Sequence, residues 1–387
     1  MKYNPWTLAL IGAGLVSLPA ATQADEKQSS VMTAISGTTL SGYVNTAAHW
    51  VPGSAKTTPG YAFSSNAAGT PGAKDDGFNL NVVDVAVSKP LGEGDWSAGY
   101  KAELWFGPDA NSLLNNSTGA NSSDFNVKQA YVELGVPVGN VIDAKLGVWD
   151  TPIGYETQNA GDNPNYTRSY GNTVEPTQHT GLYATYKCTD WLSIGGGVAN
   201  TFDSKINGRM TAESRKTYLG TVILTAPDSF GALKGATLTG CVIDGRAAGA
   251  GGPDHTHIYV GATVPTPVQN LTVGAAWDHV NLTGDPQKAP PSHDTDVYGA
   301  YLNYKATEKL TLNLRGEYVH FGDAVSSVFS AGDQVTEVTA TLDYALWQNV
   351  VSRVEYRWDH DLKDANHFGS GKRDNDHLIA LNVIYKF

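Results

Sequence analysis

Charged side chains recur at two-residue spacing near the C-terminal end of this chain: Arg315 with Glu317, then Glu337 and Asp343, then Arg353, Glu355, Arg357 and Asp359. Residues two apart share one face of an extended strand, so each run presents its charges as a row. Lys101 with Glu103, Glu133, Lys305 and Lys386 extend the same pattern elsewhere. Interleaved guanidinium and carboxylate groups can order water and orient polar solutes or ions; they can equally pair across neighbouring strands and stiffen a wall. No serine stands in a recognisable setting beside a histidine base, so the residues point to recognition and passage and not to catalysis.

Two other groups of side chains carry chemical potential. Residues 154–178 form a long non-periodic segment holding Glu156, Asp162, Tyr166, Arg168, Tyr170 and Glu175 among turn residues, and long segments of this kind are often functional. Residues 51–77 are as long but nearly uncharged, which makes them a competing candidate for a plug or lid. Asp254-His255-Thr256-His257 places two imidazoles on one side of a strand, and Asp359, His360, Asp361, Asp364, His367, Asp374, Asp376 and His377 crowd a second region. Neither spacing fits a defined metal motif, so a solvated acidic rim is expected, with no metal and no cofactor. Gly249-Ala-Gly-Gly252 reads as a flexible loop, since no helix follows it to cradle a phosphate.

The elements that must position these residues are strands. In 309–321, Leu310, Leu312, Leu314, Gly316 and Tyr318 alternate with Thr311, Asn313, Arg315 and Glu317. In 334–345, Val338, Ala340, Leu342 and Tyr344 alternate with Glu337, Thr339, Thr341 and Asp343. Sixteen such stretches are expected, at 39–51, 78–90, 95–106, 124–137, 141–153, 179–187, 191–202, 215–226, 235–246, 256–265, 271–282, 295–306, 309–321, 334–345, 350–360 and 376–387. Long and short connections mostly alternate between them, from 51–77 and 90–95 through to 346–349 and 361–375. A soluble sandwich would also alternate in polarity, but this asymmetry belongs to transmembrane barrels, with short periplasmic turns and long external loops.

The two ends agree with that placement. Lys2, the apolar stretch 8–18 and Thr22-Gln23-Ala24 read as a secretory signal peptide over 1–24, followed by a short periplasmic segment 25–38 and a barrel over 39–387. No run approaches the roughly 20 apolar residues of a spanning helix, and only helices and closed barrels satisfy their backbone in lipid. The last strand sets His377, Ile379, Leu381, Val383, Tyr385 and Phe387 on one face and Ala380, Asn382 and Lys386 on the other. A chain ending on such a strand with an aromatic resembles outer-membrane β-barrel proteins of Gram-negative bacteria, whose assembly machinery reads that terminus; Phe387 is thus the expected contact with it.

Further readings follow from topology. Tyr186, Trp191, Tyr304, Tyr344, Trp347, Tyr385 and Phe387 gather near the periplasmic edge, and Phe106, Trp277, Tyr298, Tyr318, Tyr356 and Trp358 near the outer one, as interfacial girdles do. Arg or Lys facing lipid at the midplane costs about 2–4 kcal/mol, so the charged rows must face inward, and a barrel of 16 strands can leave an aqueous channel. Cys188 and Cys241 fall three strands apart and are expected as free thiols. The net charge of −12 argues against nucleic acid as a partner.

The segment Ala144-Lys-Leu-Gly-Val-Trp-Asp-Thr-Pro-Ile-Gly-Tyr-Glu156, preceded by Lys128-Gln-Ala-Tyr-Val-Glu133, resembles the OmpL-like β-barrel porins of the bacterial outer membrane. The motif covers about thirty residues and the layout the whole chain after the signal peptide. The resemblance implies a passive or weakly selective channel for small polar solutes or ions, embedded in outer-membrane lipid and lipopolysaccharide. General porins also suggest an inward-folded loop at the position of 154–178 and a homotrimer, although no stretch marks a protein-facing outer wall. A surface-binding or adhesion barrel and a rim-located enzyme stay open as alternatives.

Overall fold

The computed structural model describes residues 37–52, 72–92, 96–114, 124–209, 215–248, 254–283, 293–322, 333–363, 368 and 373–387. The expected signal peptide and nearly all of 25–38 lie outside the described residues, as does most of the 51–77 connection, together with Asp364 and His367.

Sixteen strands follow one another: β1 (Thr39–Trp50), β2 (Gly77–Lys89), β3 (Ser97–Phe106), β4 (Phe125–Val136), β5 (Ile142–Asp150), β6 (Gln178–Lys187), β7 (Leu192–Ala199) and β8 (Thr217–Thr225). The second half contains β9 (Thr237–Arg246), β10 (Asp254–Pro265), β11 (Leu271–Thr283), β12 (His293–Lys305), β13 (Leu310–Phe321), β14 (Gln334–Trp347), β15 (Val350–Asp361) and β16 (Asn375–Lys386). Each strand pairs with its sequence neighbour, and β1 pairs antiparallel with β16, which makes a closed barrel. Among the described residues two short α-helices, α1 (Asp109–Ser112) and α2 (Tyr170–Val174), lie in connections between strands.

All sixteen strands fall where the alternation places them, and the largest differences are early ends. β5 stops at Asp150 and β7 at Ala199, because the chain beyond each turns inward: Ile153 and Phe202 are buried in one apolar cluster with Trp149 and Ile243.

Alternation sorts side chains between lipid and lumen. Leu342, Val354 and Leu381 stand in one row across β14, β15 and β16 and are exposed, whereas Arg315, Thr339 and Arg357 form an inward row that is buried. β16 follows the same rule: Ile379, Leu381, Val383 and Tyr385 face out while Ala380, Asn382 and Ile384 face in. Of the expected girdle residues, Trp191, Tyr344, Trp347, Tyr385 and Phe387 are exposed near the short turns, and Phe106, Tyr298 and Tyr356 near the long connections.

The barrel closes on its own last residue. Gly42 N–H donates to the Phe387 carbonyl at 3.1 Å and Phe387 N–H to the Gly42 carbonyl at 2.9 Å. A side chain at residue 42 would meet the Asp84 carbonyl at 2.1 Å and the Phe387 ring at 2.9 Å, so this seam requires glycine. Cys188 and Cys241 are free thiols.

Candidate functional site: a loop laid across the lumen

The connection between β5 and β6 supplies the site. Its base is pinched by the Thr151 N–H donating to the Thr177 carbonyl at 3.1 Å. Gly154 allows the turn inward: its φ is +110°, and a Cβ there would meet the Glu175 carboxylate at 2.4 Å. From there the chain runs to the opposite wall, where it meets β13, β14, β15 and β16.

An irregular backbone inside a barrel must find hydrogen-bond partners for its N–H and C=O groups. The charged rows provide them. Glu355 accepts the Tyr166 N–H at 2.5 Å and the Thr167 N–H at 2.8 Å. Glu317 accepts the Tyr170 N–H at 2.7 Å and the Gly171 N–H at 3.1 Å, at the start of α2, where unpaired N–H groups point outward. Ser169 caps the same helix by accepting the Asn172 N–H at 2.9 Å. The arginines serve the carbonyls: Arg353 donates to Ala160 at 2.8 Å and Asn163 at 2.7 Å, Arg315 to Thr167 at 3.0 Å, and Arg357 to Arg168 at 2.7 Å.

The ion pairs differ in detail from any simple matching of neighbours. Arg315 reaches Glu337 at 3.1 Å and the loop's own Glu156 at 2.7 Å, while Arg353 pairs with Asp343 at 2.9 Å and Arg357 with Asp359 at 2.7 Å. The side chains of Arg315, Glu156, Glu317 and Glu337 have no solvent exposure. The expectation that Arg315, Glu317, Glu337, Glu355 and Arg357 form a wall open to water is therefore corrected. They face the interior, but residues 151–177 cover them, because the loop backbone competes successfully with water for these charges.

The loop residues divide by burial. Glu156 is buried and bonds the Ser169 N–H at 2.8 Å as well as Arg315. Tyr166 and Arg168 are buried too: the Tyr166 hydroxyl lies 3.5 Å from Asn81 on β2, and Arg168 donates to the Tyr166 and Gln158 carbonyls at 3.1 and 2.7 Å. Burial pulls the Arg168 guanidinium below its ordinary value and pushes the Tyr166 phenol up. Glu175 sits against Asp278 of β11; burial first, and then that carboxylate, push its carboxyl well above the usual range.

Only Asp162 stands clear, with 64 % of its side chain exposed, and it pairs with Lys386 at 3.0 Å. Gly161 next to it lies so close to Lys386 that a Cβ would meet the Lys386 Cε at 2.4 Å. Two cavities meet at Gly161 and Asp162 on the short-turn half of the lumen. One, of about 630 Å³, lies against β1 to β4 and carries Lys101, Glu103 and Glu133; the other, of about 580 Å³, lies against β9 to β15 and is lined mainly by Thr, Asn and Tyr.

The sequence pattern does not reveal several interior residues. Lys128, buried on β4, contacts Asp150 at 2.5 Å and Glu103 at 3.8 Å, and lies 5.7 Å from the Trp105 ring centroid. Both Lys128 and Asp150 belong to the OmpL-like motif, whose two halves pair as β4 and β5 with Glu133 opposite Lys145. The motif thus builds the wall from which the loop departs. His255 and His257 also turn inward: the His255 ring packs at a tilt of 35° against Phe202 with centroids 4.5 Å apart, and His257 hydrogen-bonds Asp278 at 2.9 Å. The solvated rim expected for them is replaced by interior packing.

Comparison with known proteins places this geometry in context. The sequence model of the family described as "Putative beta-barrel porin-2, OmpL-like" matches residues 37–387. Among solved structures, the anion-selective porin of Comamonas acidovorans superposes with a TM-score of 0.61 at 15 % identity, covering 90 % of this chain and 99 % of that one. The outer-membrane channel DcaP of Acinetobacter baumannii gives 0.61 at 13 % identity, over 90 % and 97 % of the two chains. A trimer form of Vibrio cholerae OmpT gives 0.58 at 15 % identity, over 90 % and 99 %. Outer membrane protein A of Escherichia fergusonii is 30 % identical over 101 residues, 25 % of this chain and 37 % of that protein, so the match spans little more than a third of the relative's length.

Proposed function

The chain belongs to the OmpL-like β-barrel porin-2 family and is an outer-membrane porin; from that premise we propose that residues 151–177 set the cross-section of its lumen. The observation that carries this reading is the seating of the loop: two wall carboxylates and three wall arginines hold its backbone across the barrel. Small polar solutes and ions then pass by diffusion beside the loop, with no chemical step and no catalytic residue.

Several charges with exposed surface are left for passing solutes, among them four that line the two cavities. Asp162, Lys386, Lys101 and Asp343 expose 64, 41, 26 and 22 % of their side chains. These four, more than the covered rows, bias which ions enter. The test is single-channel current through the purified, refolded protein in a planar bilayer, with the reversal potential taken in a KCl gradient. Stable open steps support the reading; a folded barrel that stays silent sinks it.

Two accompanying proposals concern assembly. Homotrimers are supported by the trimer form of the similar Vibrio cholerae protein, and light scattering of the detergent-extracted protein tests them. Cleavage after Ala24 is the second, and N-terminal sequencing of protein purified from outer membranes tests it.

A further inference from the structure

The two cavities that meet at Gly161 and Asp162 differ in chemistry. The cavity against β1 to β4 carries Asp84, Lys89, Lys101, Glu103 and Glu133 in addition to the shared Asp162 and Lys386. The cavity against β9 to β15 has three charged residues in its lining, Asp162, Asp343 and Arg353, and each is paired: Arg353 with Asp343 at 2.9 Å and Asp162 with Lys386 at 3.0 Å. What remains there is hydroxyl, amide and aromatic surface.

Its tyrosines are held in an unusual way. Tyr155 of the loop stacks on Tyr301 of β12 with ring centroids 3.8 Å apart and planes 15° apart. Glycines of the wall make room for the rings to lie flat. A Cβ at Gly274 would meet the Tyr155 hydroxyl at 1.9 Å, one at Gly299 would meet the Tyr301 ring at 3.0 Å, and one at Gly261 the Tyr259 hydroxyl at 2.0 Å. Gly274 is the register partner of both Thr263 and Tyr301, so shelf, hydroxyl and ring occupy one level of three adjacent strands. Tyr301 and Tyr259 are buried, whereas Tyr155 is only half-buried and lines the cavity. One face of Tyr155 is taken by Tyr301, and the residue borders the cavity.

We propose that this cavity binds a neutral polyhydroxylated solute, a mono- or disaccharide, with the Tyr155 ring as its platform. The proposal deepens the channel reading and rests on it. An aromatic face carries partial negative charge and attracts the C–H face of a sugar ring. Hydroxyls both donate and accept, and so do the Thr263, Asn303 and Asn313 side chains around the platform. The volume of about 580 Å³ falls within the range of roughly 300–1,000 Å³ typical of small-ligand sites. Most of the lining is hydroxyl, amide and aromatic, so an ionic solute would lose hydration over it with little in return. The β1 to β4 cavity, rich in Lys, Asp and Glu, suits such solutes better.

Sucrose and lactobionate, similar in size but neutral and anionic, separate the possibilities. Open current in KCl is recorded first, before any sugar is added, so a silent barrel counts against the channel reading alone. Sucrose added on the short-turn side is expected to interrupt the current in proportion to its concentration, and lactobionate to do so more weakly. Tyr155→Ala is expected to weaken the sucrose effect about three- to tenfold, the scale of one aromatic contact, while Tyr155→Phe retains it. Titration calorimetry of sucrose into the refolded barrel gives the same comparison whether or not current flows. Equal blockade by lactobionate, equal sucrose affinity in Tyr155→Ala, or no sucrose binding by either method would overturn the proposal.

Discussion

Glu317 and Glu337 stand directly opposite one another across the β13–β14 ladder, two carboxylates at one register position inside the barrel. Such a pair is destabilising unless a cation joins it. Arg315 does so, lying 3.8 Å from Glu317 and 3.1 Å from Glu337 while also binding Glu156 at 2.7 Å. The guanidinium is the common partner of three covered carboxylates.

Removing that guanidinium is expected to be costly. Arg315→Ala leaves three buried carboxylates short of their cation, and losing one member of a buried ionic group costs about 3–5 kcal/mol. Urea unfolding followed by tryptophan fluorescence checks it. Adding Glu337→Gln in the same chain should recover part of the loss. A change below about 1 kcal/mol in Arg315→Ala would show that water reaches the carboxylates after all.

Glu355 tests the seating of the loop more gently. Its carboxylate accepts two successive backbone N–H groups, and hydrogen bonds to a charged group contribute about 1.5–3 kcal/mol each. In Glu355→Ala the barrel should persist while amide exchange at Tyr166 and Thr167 quickens. Open-channel current noise should increase alongside. Unchanged exchange at those two amides would remove Glu355 from this role.

Glu175 makes the loop sensitive to pH in a defined direction. Burial and the neighbouring Asp278 raise its carboxyl well above the usual range, and Glu156 and Glu317 act in the same sense. The folded state therefore holds a proton that the unfolded chain has already released, so docking is firmest at low pH and weakens as pH rises towards the raised value. Wild-type current noise should grow on the alkaline side. In Glu175→Gln, which keeps a hydrogen-bond donor but cannot ionise, that part of the pH dependence should vanish; a variant with the wild-type pH profile would place its origin elsewhere.

Lys386 offers the opposite balance of effects. Its pairing with Asp162 is exposed, 41 % and 64 % for the two side chains, so that ion pair contributes less than about 1 kcal/mol, and Lys386→Ala loses the bond to the Gly161 carbonyl at 2.6 Å besides. It also leaves Asp162 uncompensated where the two cavities meet. The reversal potential should shift towards cation preference, and an unshifted value would show that ions do not pass that point.

Much of this arrangement is legible in the sequence, and the reason is periodicity. A two-residue alternation fixes which way each side chain points, so Arg315, Glu317, Arg353, Glu355 and Arg357 are recognisable as interior residues from the order of amino acids alone. Partner identity is not legible. Arg315 meets Glu156 across 159 positions of sequence, and Tyr166 meets Glu355 across 189, distances over which local pattern carries no information. Alternation also cannot tell an interior row that faces water from one that holds a loop. A signal for the missing interior residues lies in Lys128 and Asp150, both inside the OmpL-like motif and both interior. The glycines beneath the tyrosines leave a trace as well: Tyr259 and Gly261, like Gly299 and Tyr301, are two apart on one face.

The closure of the barrel at Gly42 and Phe387 has a consequence for the order of events in assembly. Loop residues lie far along the chain from their partners, since the Arg353 contact to Ala160 spans 193 positions and the Lys386 contact to Gly161 spans 225. Contacts so distant in sequence form slowly and late. Until the final strands arrive, the loop has no wall to dock against and the sheet has two open edges. Both deficits are repaired by the same last segment, so sealing the cylinder and latching its interior become a single terminal step. A barrel without β16 would lack the seam and the Lys386 part of the latch together.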